Sequence, residues 1–107
     1  MIYNDGMDLT DRVAVVTGAS SGIGEATAKA LGAEGAQVGL AARHEGKLAD
    51  VADQIEAADG DAIVVPTDVT DEDDVTAMVE RTRETFGSID LLVNNAGVLQ
   101  PTSLADA

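Results

Sequence analysis

The chain has 107 residues, the size of one small domain. Its 20 acidic residues outweigh 6 basic ones, for a formal net charge of −14, which argues against nucleic acid and anionic membrane surfaces as partners because both demand Lys and Arg. With no cysteine there is neither a disulfide framework nor a thiolate zinc site, and the single histidine, His44, cannot build a metal site alone.

Residues 1–8 read as an N-terminal tail, and residues 9–107 as one domain. Residues 1–12 lack the charged start and apolar stretch of a secretory signal. No apolar run approaches the ~20 residues of a membrane span. A cytoplasmic protein is expected, and the acidic surplus suggests adaptation to high salt, which screens self-repulsion; an ordinary acidic protein is the alternative. Tyr3 and Phe86 are the aromatic residues of the chain, so its core must be aliphatic.

Val13-Ala14-Val15-Val16 is a continuous β-prone run, expected as a strand buried on both faces. Ile23 to Glu34 follows with helical spacing, its inward face assigned to Ile23, Ala26, Ala30 and Leu31, and Gly35 supplies the stop. Val38-Gly39-Leu40-Ala41 is a second strand. Gly46 to Ala58 is a helix with Leu48, Val51, Ala52 and Ile55 inward, ended by Gly60. Ala62-Ile63-Val64-Val65 is a third strand. Asp71 to Phe86 is a third helix with Val75, Met78, Val79 and Thr82 inward, four acidic residues at its start, Thr70 as the expected cap and Gly87 as the stop. Leu91-Leu92-Val93 is a fourth strand. Short apolar strands alternating with helices imply an α/β fold with a parallel sheet and right-handed crossovers, half or slightly more of a doubly wound Rossmann-type sandwich.

The first strand runs into Thr17-Gly18-Ala19-Ser20-Ser21-Gly22-Ile23-Gly24 and then a helix. Gly18 permits a tight turn, Gly22 a close approach of backbone to a pyrophosphate, and Gly24 close packing of helix on sheet. Free N–H groups at the helix N-terminus suit phosphate, and the Ser20 and Ser21 hydroxyls can add donors. A glycine-rich turn without a ligand is the bland alternative, but the strand before and the helix after supply the context a dinucleotide loop requires.

The spacing Gly-xxx-Gly-x-Gly, preceded by Thr, resembles the single-domain branch of the short-chain dehydrogenase/reductase family; the extended branch, with Gly-xx-Gly-xx-Gly, does not fit. Asn94-Asn95-Ala96-Gly97 after the fourth strand matches a second motif of that family, though alone it could be a polar turn at a strand end. The resemblance spans Leu9 to Gly97. It implies a sheet of order 3-2-1-4 with helices on both faces, a three-layer sandwich. It also implies a nicotinamide cofactor held by Gly18, Ser20, Ser21, Gly22, Ile23 and Gly24, with Asn95 and the Ala96–Gly97 backbone near the adenine-side ribose.

An acidic residue at the end of the second strand would bond the ribose hydroxyls of NAD, and a basic one would accommodate the 2′-phosphate of NADP. Ala42 fills the acidic slot and Arg43 follows, so NADP(H) is expected over NAD(H), with a solvent-exposed arginine as the alternative. In the family an Asp-Val pair such as Asp68-Val69 reads adenine through the carboxylate and the Val backbone; Asp68 could equally belong to a turn before the third helix. His44 is expected at the outer edge of the cofactor or in solvent.

The family's chemistry needs a Ser and a Tyr-xxx-Lys pair downstream of the Asn-Asn-Ala-Gly motif. No Tyr-xxx-Lys occurs in the sequence, Tyr3 precedes the first strand, and Ser103 lies too close to Gly97, so no catalytic residue is assigned. The expectation is the N-terminal part of an NADP-dependent oxidoreductase interconverting a carbonyl and an alcohol. A non-catalytic dinucleotide-binding module or sensor is the runner-up, and a remnant that folds only with a partner a third reading. A fourth strand with an open apolar edge makes homo-oligomerisation possible.

Overall fold

The computed structural model describes residues 9–95, in the order β1 (Val13–Thr17), α1 (Gly22–Ala33), β2 (Gln37–Ala42), α2 (Glu45–Ala57), β3 (Asp61–Pro66), α3 (Glu72–Phe86) and β4 (Leu91–Val93). The strands form one sheet of order β3-β2-β1-β4, and every pairing is parallel. All four strands therefore point the same way. Their C-terminal ends, where Gly18, Arg43, Thr67 and Asn94 emerge, share one edge of the sheet.

The alternation of side chains along parallel strands sorts the core into two layers. On one face Ala14, Val16, Val38 and Leu40 meet Ala28 and Leu31 of α1 and Leu48, Val51 and Ile55 of α2. On the other face Val15, Ala41 and Val65 meet Val75 and Met78 of α3. The fold is the expected three-layer Rossmann-type sandwich. β1 is buried along its whole length, as its unbroken apolar run requires, whereas β3, at one margin of the sheet, is only partly covered. Among the described residues β4 pairs only with β1, and Leu91 there is 40% exposed.

The inward faces of α2 and α3 are as expected, with Val79 half-buried. The inward face of α1 is a correction. Leu31 is buried as expected, but Ile23 is 74% exposed and Ala26 and Ala30 are exposed, and Gly24, Ala28 and Gly32 are buried in their place. Close approach decides this. A Cβ on Gly32 would lie 2.8 Å from Ile55 Cγ2 of α2, so the face with least bulk must turn inward.

Two helix ends also differ from expectation. Asp71, not Thr70, caps α3: its carboxylate accepts the N–H groups of Asp73 and Asp74. The Thr70 hydroxyl is drawn away to Asp68 Oδ1 at 2.6 Å. At the end of α2 the left-handed residue is Asp59 (φ 69°), and Gly60 follows it, donating its N–H to the Ile55 carbonyl at 2.9 Å. Gly35 and Gly87 stop their helices with φ of 97° and 104°.

Candidate functional site

The glycine loop is folded around one carbonyl. Gly18 takes φ 64°, a left-handed conformation open to glycine at no steric cost, as its expected tight turn requires. The Gly18 oxygen accepts the Ser21 N–H at 3.1 Å, the Ser21 hydroxyl at 2.9 Å and the Asn95 side-chain amide at 3.4 Å. Asn95 Nδ2 also donates to Ser21 Oγ at 3.0 Å. Gly24 is buried beneath this cluster. A Cβ there would overlap the Gly18 oxygen and lie 2.7 Å from Asn95 Nδ2. The absent side chain thus sets the contact between α1 and the loop as well as packing on the sheet.

Gly22 is the opposite case. A Cβ on it would meet nothing within 4 Å, so the loop leaves open space above the first turn of α1. Ser21 is the N-cap residue and makes no side-chain cap hydrogen bond, so its hydroxyl does not occupy the first-turn N–H groups. Ser20 is half-buried at the loop's tip, and Ile23 stands out into solvent.

Thr17, which the sequence names only as the start of the loop, positions that loop against β4. It is fully buried; its hydroxyl accepts the Asn95 N–H at 2.9 Å and faces the Val93 carbonyl at 3.4 Å and Asn94 Oδ1 at 3.3 Å as donor. The end of β4 is thereby fastened to the start of the loop. Its position as the first residue of the Thr-Gly motif was the available signal. Ala96 and Gly97, like Tyr3 and Ser103, lie outside the described residues.

Next to the loop a cleft of about 370 Å³ opens along the strand ends, lined by Gly18, Ser21, Arg43, His44, Val69 and Asn95, with Ala42, Thr67 and Thr70 completing it. A second cleft of about 370 Å³ lies elsewhere, lined by Glu80, Arg83, Glu84, Gly87 and Ser88, so the lining and not the size distinguishes this one. Of the expected site residues, Arg43, Val69 and Asn95 thus share a wall with Gly18 and Ser21. His44 lines the same cleft and is exposed, as expected.

Asp68 stands beside the cleft rather than within its lining. Its Oδ1 accepts the Thr70 hydroxyl at 2.6 Å, the Thr70 N–H at 2.9 Å and Arg43 Nη2 at 3.0 Å. These donors, the Thr70 hydroxyl foremost, hold the Asp68 carboxyl down at about 2. Both lysines of the chain are committed elsewhere. Lys29 and Lys47 reach the two oxygens of Glu25 at 2.6 and 3.4 Å, and the Lys29 hydrogen bond chiefly keeps that carboxyl below its ordinary range.

Among the described residues no group of three or more His, Asp and Glu could hold a metal ion, and no helix is long and apolar enough to cross a membrane.

Comparison with known proteins agrees with this geometry. An uncharacterized oxidoreductase of Staphylococcus aureus is 47% identical over 98 residues, covering 92% of this chain and 42% of that protein. The chain therefore spans about two fifths of the length of the curated relatives it matches. Among solved structures, a metagenomic short-chain oxidoreductase in complex with NADP superposes with a TM-score of 0.79 at 39% identity, covering 90% of this chain and 48% of that one. L-sorbose reductase from Gluconobacter frateurii, complexed with NADPH and L-sorbose, gives a TM-score of 0.79 at 42% identity, covering 86% and 36%. Residues 12–107 match the family model described as short chain dehydrogenase, and the chain belongs to that family.

Proposed function

We propose that the chain is the cofactor-binding part of an NADP-dependent short-chain oxidoreductase, which moves hydride between NADP(H) and a carbonyl or alcohol substrate. Arg43 carries this reading. It follows Ala42 at the end of β2 and lines the same cleft as the glycine loop, where a guanidinium can pair bidentately with a 2′-phosphate. The two relatives solved with NADP and NADPH support the same choice.

In this reading the first turn of α1, with Gly22 leaving room and Ser20 and Ser21 adding hydroxyls, holds the pyrophosphate. Gly18 and Gly24 shape the loop, and Ile23 presents its exposed side chain towards the cofactor. Asp68 accepts the exocyclic amine of adenine, the Val69 backbone flanks the ring, and Asn95 lies beside the adenine-side ribose. The bound nicotinamide supplies the hydride chemistry. No described residue is assigned to move the substrate proton.

Titration of the protein with NADP and NAD, before and after Arg43→Ala, tests the assignment. NADP binding should weaken much more than NAD binding. Equal losses would refute the NADP preference, and no binding of either dinucleotide would refute the cofactor site.

A further inference from the structure

The carboxylate that the end of β2 lacks reaches Arg43 from the neighbouring strand. Asp68, just beyond β3, holds Arg43 Nη2 at 3.0 Å from Oδ1. The two partners are unequally fixed. Two bonds from Thr70 fall on the same Asp68 oxygen, and the Asp68 N–H donates to Asp74 Oδ2 at 3.0 Å, so this carboxylate is pinned at both ends of the residue. The Arg43 side chain is 64% exposed and is free to swing on its long stem. Arg43 is also the one Lys or Arg lining the cleft, and both lysines of the chain sit on Glu25.

We propose that Asp68 is a specificity-determining residue that competes with the 2′-phosphate of NADP for Arg43 and so limits the preference for NADP over NAD. This rests on the NADP reading above and deepens it. To receive the phosphate, Arg43 must leave a carboxylate that cannot follow it. The phosphate then stands near an Asp68 carboxylate that has lost its cationic partner. NAD, with hydroxyls at that position, leaves the ion pair in place. Because the pair is solvent-exposed it is weak, so the exchange is feasible and its effect is moderate.

Asp68→Asn keeps the acceptor for Thr70 and removes the charge. Any loss of adenine contact affects NAD and NADP alike and cancels in their ratio. The ratio of the NAD to the NADP dissociation constant should rise roughly fivefold. An unchanged or lower ratio in Asp68→Asn, while Arg43→Ala abolishes the NADP preference, overturns this inference alone. If Arg43→Ala also leaves the ratio unchanged, or if neither dinucleotide binds, the NADP reading falls and this inference with it. A second measurement needs no variant. In the unmodified protein, carbon NMR of the Asp68 carboxyl should show its titration midpoint higher with NADP bound than with NAD bound. Equal midpoints overturn the proposal even if Asp68→Asn fails to fold.

Discussion

The side-chain amide of Asn95 lies 3.4 Å from the carbonyl oxygen of Gly18, although 77 residues separate them. The end of β4 therefore braces the glycine loop that follows β1. Thr17 completes the brace by accepting the Asn95 N–H on a fully buried hydroxyl. Thr17→Val keeps the shape and removes the hydroxyl. It leaves a backbone N–H without its acceptor, at a cost of about 1–3 kcal/mol. Urea denaturation should show that loss, and amide exchange should quicken in β4 before it does in β2. Uniform exchange across the sheet would show that Thr17 does not fasten β4.

Gly22 and Gly24, two residues apart with opposite surroundings, separate folding from binding. Gly24→Ala places a methyl against the Gly18 carbonyl and Asn95, so it should destabilise the fold by about 1–3 kcal/mol through overpacking. Gly22→Ala meets open space at the first residue of α1 and should leave stability unchanged or raise it by up to about 1 kcal/mol. If the pyrophosphate rests on this backbone, Gly22→Ala should nevertheless weaken dinucleotide binding. Thermal melting beside calorimetric titration checks both. Full binding by a stable Gly22→Ala protein would remove Gly22 from the proposed site.

The alternation of apolar runs with helices made the parallel α/β class legible, because each crossover leaves few topologies, whereas the order 3-2-1-4 was implied by the family resemblance. The glycine loop was legible because Gly18 and Gly24 are each required by a local constraint. The inward face of α1 was not. Hydrophobicity ranks Ile23 above Gly24, but the sheet side of α1 has no room for a side chain at Gly24, and Ile23 turns out to solvent. The α3 cap falls on Asp71 and not on the expected Thr70, because the Asp68 carboxylate occupies the Thr70 hydroxyl and Asp71 is an equally good cap. The Arg43–Asp68 pair joins residues 25 apart on adjacent strands, a proximity that only the parallel register of β2 and β3 creates.

The donors on Asp68, with Thr70 foremost, set a pH window. The Asp68 carboxyl is held at about 2 in the fold against an ordinary 3.8, first by the Thr70 hydroxyl, then by the Thr70 N–H and Arg43. A depressed carboxyl contributes stability that is complete above its unfolded value and lost as pH falls through its folded value. Melting temperature should therefore fall more steeply in the native protein than in Asp68→Asn between about pH 4 and pH 2, and the two slopes should agree at pH 6. Parallel curves through the acid range would mean that the donors on Asp68 do not act on the folded state.

A net charge of −14 sets a last expectation. Added salt weakens attraction and repulsion alike, so its sign depends on which is larger. Four ion pairs are present among the described residues, and two of them share Glu25. The acidic residues far outnumber the basic ones, and α3 by itself begins with Glu72, Asp73 and Asp74 in one turn. Repulsion should dominate, so potassium chloride should raise the melting temperature. Because the screening length falls from about 10 Å at 0.1 M to about 3 Å at 1 M, most of the gain should come below 1 M. A flat or falling response would show that the surplus charges lie too far apart to strain the fold, and would remove the case for salt adaptation.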